Sequence, residues 1–268
     1  VEETGPVRGS LRLRWRFRDS TITQRITLHA ESPRINFRTE VDWHEAQTLL
    51  KVAFPVAVRA TRATYDIQFG SVERPTHWNT SWDWARFEVP AQKWADLSEG
   101  DYGVALLNDC KYGHDIHDNV MRLTLIKSAI SPDATADQGR HVFTYSLLPH
   151  PGDWRTGGVV HEAYALNYPL LTAPLDCGPK LLPWGDRAAG LSDRCSLAEV
   201  SAENVIVETV KRSEDDPEAW VFRVYEFEQS RQRDVRLSFC HPVRCAVECN
   251  LVEREARPVA FDPRGITF

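Results

Sequence analysis

Period-two alternation of apolar and polar positions dominates the first hundred residues. Leu11, Leu13, Trp15 and Phe17 fall on one face of an extended chain, with Arg12, Arg14, Arg16 and Arg18 on the other. That is the pattern of a half-buried strand, with one dry and one wet side. After Asp19-Ser20 the alternation resumes at Ile22, Ile26 and Leu28, then at Ile35, Phe37, Val41 and Trp43. It continues at Leu50, Val52, Phe54, Val56 and Val58, and at Tyr65, Ile67 and Phe69. Strand is expected to follow strand with no helix between, which predicts antiparallel sheet. Residues 103–107 are instead a continuous apolar run, the mark of a strand buried on both faces. Further strands are predicted over 120–126 and 141–148, with Ser131-Pro132-Asp133-Ala134 as a loop between them. Residues 157–167 carry Val159, Val160, Ala163 and Leu166 at helical spacing, although a strand also fits.

From about residue 172 the pattern breaks at Pro174, Gly178, Pro179, Pro183, Gly185 and Gly190, so a linker or crossing loop is expected over 173–200. It would separate a large β domain over 1–172 from a small β-sandwich over 201–268. The small domain is predicted from strands over 204–210, 220–226, 234–239 and 246–252, with Glu214-Asp215-Asp216-Pro217 as a hairpin connection. Ile266-Thr267-Phe268 reads as a strand without its last partner, so this domain is expected to be incomplete. The fold class predicted is all-β.

Composition narrows the function classes. A chain of 268 residues with 42% hydrophobic content can bury a substantial core. Its net charge of −6 speaks against nucleic acid, which demands clustered Lys and Arg in excess of the local acids. No apolar run approaches the ~20 residues of a membrane span. The opening Val1-Glu2-Glu3-Thr4-Gly5-Pro6 resembles neither a start methionine nor a signal peptide, and the chain is expected to be part of something longer. Six cysteines without any C-x-x-C spacing are expected to be buried free thiols, which fits the cytoplasm. The sequon Asn79-Thr80-Ser81 is treated as coincidence.

Candidate chemistry concentrates where the 103–107 run ends, in Asn108-Asp109-Cys110-Lys111-Tyr112-Gly113-His114-Asp115. Strand ends favour ligand contact over packing. A carboxylate accepts hydroxyl donors, an ammonium donates, and a phenol stacks or hydrogen-bonds, so Asp109, Lys111, Tyr112 and Asp115 form a candidate binding set. The same residue types also serve as ordinary turn formers. His114 and His117 are expected in a loop, with no third ligand for a metal. Trp78, Trp82 and Trp84 suit a sugar-stacking platform, but are expected in a core or domain interface.

Three runs together carry a resemblance. They are Glu73-Arg74-Pro75-Thr76-His77-Trp78-Asn79-Thr80-Ser81-Trp82-Asp83, Phe87-Glu88-Val89-Pro90 with Trp94-Ala95-Asp96-Leu97-Ser98, and the stretch from Tyr102 to Gly113. With Asp137-Gln138-Gly139-Arg140-His141, Phe143-Thr144-Tyr145, Gly152-Asp153-Trp154 and Ser201-Ala202-Glu203-Asn204-Val205, they resemble the C-terminal part of family 38 α-mannosidases of the bacterial and cytosolic type. The resemblance implies a large galactose-mutarotase-like supersandwich followed by smaller β domains. It also implies retaining hydrolysis of terminal α-D-mannosides by an aspartate nucleophile, an acid/base carboxylate and a zinc ion, which requires two carboxylates about 5 Å apart. By resemblance these carboxylates and the zinc ligands belong to an N-terminal catalytic domain outside this stretch, so no catalytic residue, metal or cofactor is expected here.

The same resemblance places Asp109, Lys111, Tyr112 and Asp115 on the rim of the active site. The Golgi branch has arginine where this chain has Cys110 and Lys111. The implied partners are an α-mannoside and the catalytic domain, and an exposed docking face is expected to permit self-association. Two other readings stand beside it. One is a free-standing carbohydrate-binding module using the same rim. The other is a mutarotase-like epimerase, which His161 and Glu162 serve poorly because neighbours on a strand point to opposite faces.

Overall fold

The computed structural model describes residues 1–172 and 196–268. They fall into two compact units, Val1–Leu170 and Leu171–Phe268. The first unit runs β1 (Glu3–Thr4), β2 (Arg8–Phe17), β3 (Ser20–His29), β4 (Ile35–Trp43), β5 (Leu49–Pro55), β6 (Arg62–Ile67), β7 (Gly70–Pro75), α1 (Ser81–Ala85), β8 (Val89–Pro90), β9 (Trp94–Glu99), β10 (Tyr102–Asn108), β11 (Gly113–His117), β12 (Val120–Lys127), β13 (Gly139–Pro151) and α2 (Val159–Asn167).

A nine-stranded sheet has the order β1-β2-β3-β4-β13-β10-β9-β6-β7, and a four-stranded sheet the order β5-β12-β11-β8. Alternation along the strands builds the core between them. Val41, Trp43, Tyr65, Leu97, Leu106, Phe143 and Tyr145 of the larger sheet meet Ile116, Met121, Leu123 and Leu125 of the smaller. Each such side chain contributes roughly 1.5–3 kcal/mol relative to exposure. The continuous apolar run of β10 has its explanation here. Leu106 and Val104 face this core, whereas the equally buried Ala105 and Leu107 face the opposite way. On that opposite side α2 packs against β9 and β10. Its Val159, Val160 and Ala163 are buried, as are Trp94 and Trp154, whose rings lie 5.0 Å apart.

The all-β antiparallel architecture agrees with the sequence patterns, and within residues 157–167 the helix α2 forms over Val159–Asn167. Three expectations for this unit are corrected. β2 is not half-buried: Leu11, Leu13, Trp15 and Phe17 are 38–46% exposed, because the four-stranded sheet is too narrow to cover the outer strands of the nine-stranded one. A helix does interrupt the first hundred residues. α1 forms because Thr80 caps it: its hydroxyl accepts from Asp83 N at 3.1 Å and donates to the Asp83 carboxylate at 2.9 Å. His114 and His117 belong to β11, not to a loop.

The second unit contains β14 (Ala198–Val200), β15 (Val205–Arg212), β16 (Trp220–Glu226), β17 (Arg236–Phe239), β18 (Val247–Glu248), β19 (Arg257–Pro258), β20 (Phe261–Asp262) and β21 (Gly265–Thr267). β15 and β16 form the expected hairpin, with Arg212 opposite Trp220 across the acidic turn. The sheet β14-β17-β21-β20 packs Leu237 inward, and the Phe222 and Phe239 rings meet at 4.8 Å. Residues 265–267 do not lack partners, since β21 pairs with both β17 and β20. The strand expected over 246–252 shrinks to Val247–Glu248. Most of the linker predicted over 173–200 lies outside the described residues, and its last residues form β14. Among the described residues no helix is long and apolar enough to cross a membrane.

Candidate functional site

β10, an interior strand of the nine-stranded sheet, ends just before three of the four predicted binding residues, Asp109, Lys111 and Tyr112. Buried Asn108 shapes the turn: its carbonyl oxygen Oδ1 accepts from Lys111 N, three residues on, at 2.7 Å, while Nδ2 donates to Gln92 O at 3.0 Å. Asp109 extends the pairing with β13 by one residue. Its amide donates to Thr144 O at 3.1 Å, and its Oδ2 accepts from Thr144 N at 2.8 Å. The other oxygen, Oδ1, is buried and makes no hydrogen bond within the protein. Lys111 Nζ lies 4.7 Å from the centre of the Phe143 ring, a cation–π contact, and the Tyr112 ring is about half exposed. Loss of solvent around its sulfur and the adjacent Asp109 carboxylate push the Cys110 thiol up to about 12. It is therefore a protonated thiol at neutral pH and no nucleophile.

Asp115 stands apart from these three. It sits on β11 directly across from Arg122, 3.5 Å from that guanidinium and 3.6 Å from Lys51 Nζ. Lys51 also pairs with Glu88 at 3.1 Å, and the Thr124 hydroxyl donates to Glu88 at 2.6 Å. This cross-strand network satisfies the Asp115 charge. No hydrogen bond or ion pair joins Asp115 to Asp109 or Lys111 among the described residues. The candidate set thus divides into a strand-end group, Asp109, Lys111 and Tyr112, and a carboxylate already engaged on the neighbouring sheet.

A cavity of about 20 Å³ opens beside Asp115, lined among others by Tyr65, Arg74, Trp78, Arg86, Phe87 and His114. His114 is fully buried, with Nδ1 3.2 Å from Tyr112 O and Nε2 without a partner in the protein. Burial drives its pKa down to about 4, with the Arg74 charge adding to the effect. Arg74 lies with its guanidinium 4.6 Å from the Tyr65 ring centre, and its buried Nη1 also lacks a hydrogen bond. Burial lowers the Arg74 pKa and raises that of Tyr65. The tryptophans expected in a core or a domain interface do not lie in the core: Trp78 is 45%, Trp82 75% and Trp84 65% exposed. They sit on or beside a five-residue helix that is too short to bury a face.

A second polar cluster lies on the α2 side. His150 Nε2 is 3.2 Å from Asp96 Oδ2, both side chains are about 1% exposed, and the Ser98 hydroxyl donates to the same carboxylate at 2.5 Å. Burial opposes the charge on His150, but the hydrogen bond and charge of Asp96 outweigh it and raise the pKa. Sequence reasoning missed both histidine clusters. Asp96 in the middle of the apolar Trp94-Ala95-Asp96-Leu97 was the available signal, since a buried carboxylate requires a partner.

Among the described residues no group of three His, Cys, Asp or Glu side chains could hold a metal ion, and the resemblance assigns the zinc ligands to residues outside this stretch. His161 and Glu162 lie on α2 rather than a strand, and Glu162 is held 3.0 Å from Arg34. Four described cysteines are free thiols, and Cys110, Cys240 and Cys245 are exposed where buried thiols were expected.

Comparison with known proteins agrees with the architecture. The C-terminal domain of glycosyl hydrolases family 38 matches residues 1–135, and the C-terminal beta sandwich domain of the same family matches 204–267. Alpha-mannosidase 2C1 of Homo sapiens is 46% identical over 249 residues, 92% of this chain and 22% of that protein. Alpha-mannosidase G of Dictyostelium discoideum is 40% identical over 260 residues, 94% of this chain and 23% of that protein. The chain therefore spans less than a quarter of the length of these relatives. In fold it is similar to the crystal structure of an alpha-mannosidase from Enterococcus faecalis V583, with a TM-score of 0.74 at 18% identity, covering 100% of this chain and 34% of that one. With both sandwich regions matched by family models and the sheets arranged as described, the chain belongs to glycosyl hydrolase family 38, whose C-terminal domains it contains.

Proposed function

We propose that this chain is the C-terminal region of a retaining α-mannosidase acting on terminal α-D-mannosides. In this reading the rest of the polypeptide supplies the reactive carboxylates and the zinc ion. The strand-end group then completes the sugar-binding rim. The observation that carries it is the match of both C-terminal domains of family 38, over residues 1–135 and 204–267. Asp109 fixes the end of β10 through the Thr144 amide, so that Lys111 and Tyr112 are presented at the strand end. Lys111 and Tyr112 flank it as donor and stacking surface, and Asp115 acts through the charge network with Lys51 and Arg122. The identity to two α-mannosidases over more than nine-tenths of the chain supports the substrate class. Exposed free thiols support a reducing compartment such as the cytoplasm. The exposed apolar side of β2 supports a docking face, through which the isolated chain is expected to self-associate.

The test compares the polypeptide containing the full relatives' length with the same polypeptide carrying Asp109→Ala, on an aryl α-mannoside. Loss of one charge-assisted hydrogen bond is expected to lower kcat/KM roughly tenfold or more. The isolated chain is expected to release no mannose. Turnover by the chain alone, or an unchanged kcat/KM in the variant, overturns the assignment. The exposed Trp82 and Trp84 favour a second reading, a carbohydrate-binding module. Saturable mannose binding by the isolated chain in calorimetry that Trp82→Ala and Trp84→Ala abolish would select it.

A further inference from the structure

We propose that the cavity between β7, β11 and the α1 segment is a receptor for a single hydroxyl group of a saccharide, held between Arg74 and His114. The donor pattern decides the ligand chemistry. The Tyr112 carbonyl can only accept, so the His114 Nδ1 at 3.2 Å carries the proton, and on a neutral imidazole Nε2 is then a bare acceptor. Arg74 Nη1 is a donor. Both nitrogens are buried and lack partners in the protein, and their residues line the same cavity.

A group that satisfies both must accept from the guanidinium and donate to the imidazole. A hydroxyl does this. A carboxylate or phosphate oxygen would set a lone pair against the lone pair of Nε2, which argues against an anion despite the second cation, Arg86, in the lining. A volume of about 20 Å³ suits one hydroxyl or water and excludes a whole sugar ring. The exposed lining residues Trp78 and Phe87 offer apolar faces for the rest of the ligand, and Trp78 is braced by the His117 ring at 4.0 Å. That the hydroxyl belongs to a saccharide rests on the proposed mannoside chemistry. The pocket lining does not include Asp109, Lys111 or Tyr112, and the two regions meet where His114 Nδ1 donates to Tyr112 O.

The experiment titrates the wild-type chain with methyl α-D-mannopyranoside and, separately, with sodium acetate, following the ring ¹⁵N resonances of His114 and the backbone amides of 109–112. The expected result is a saturable shift of His114 Nε2 with the mannoside and none with acetate. Arg74→Lys is expected to weaken that response roughly tenfold or more by removing the fork geometry. A response to acetate identifies an anion site and overturns the proposal. A His114 resonance unmoved by either probe means internal water only, and overturns it too. Shifts confined to 109–112 overturn the pocket while leaving the rim standing. Shifts at His114 without any at 109–112 support the pocket and count against the rim.

Discussion

Two imidazoles in the first unit are almost equally hidden from solvent, His114 fully and His150 at 4% exposure, yet they are driven in opposite directions. His114 meets a carbonyl, an aromatic ring and the Arg74 cation, and burial leaves it neutral with a pKa of about 4. His150 meets the Asp96 carboxylate, which outweighs the same desolvation and favours the charged form. Burial alone therefore does not set the state of a core histidine. What matters is whether the fold brings an opposite charge to it, and the consequence is one closed polar cluster and one with unused valences facing a cavity.

The largest expected break in this contrast is Asp96→Ala. Removing one partner of a buried ion pair costs about 3–5 kcal/mol, so chemical denaturation should show a large loss of stability. An unchanged midpoint would mean that the pair is not charged in the folded protein. Next comes acid. A histidine whose folded pKa is depressed contributes stability that is fully present above its unfolded value of about 6.5. For His114 that contribution is lost as pH falls from about 6.5 toward 4, on the order of 3 kcal/mol over the window. Stability measured against pH in wild type and His114→Gln should differ in slope there, and identical slopes would contradict a neutral buried His114.

His150 has the reverse sign. Its raised pKa contributes stability below about pH 6.5 that is lost as pH rises through the folded value. A His150→Gln variant should therefore flatten the alkaline side and leave the acid side alone. Gly103→Ala should cost about 2 kcal/mol, because a Cβ there would run into the His150 ring and the Ser98 hydroxyl. A neutral result in thermal unfolding would show that the His150 cluster is loosely packed. The smallest effect is expected from Thr80→Ala, which removes the α1 cap for about 1 kcal/mol. It should alter Trp78 and the cavity mouth without touching the His150 titration, and coupled changes at both histidines would erase the distinction between them.

Much of this was legible before any coordinates. The strands from Arg8 to Trp43, the buried β10, the β15–β16 hairpin and the helical spacing of α2 are local patterns, and each appears where the periodicity places it. The strand-end position of Asp109, Lys111 and Tyr112 was equally visible, because a strand must stop where its apolar run stops. Asp115 was grouped with them by proximity in sequence. Its real partners, Lys51 and Arg122, lie across two strand pairings, and register of that kind leaves no trace in a local window. The exposed side of β2 was misjudged for a related reason. Alternation tells which face of a strand is apolar, but not whether another sheet is wide enough to cover it.

The sequence by itself determined the all-β architecture, the antiparallel pairing and the family, because periodicity and motif residues are properties of the chain alone, whereas the structure chose helix over strand at Val159–Asn167. Only the tertiary structure decided which polar groups close on one another. It joined Asp96 to His150 across 54 residues, and it set Arg74 and His114, from strands β7 and β11, around one cavity. The physical reason is that the charge state of a buried group depends on desolvation and on neighbours within a few ångströms. Those neighbours are supplied by sheet order and register.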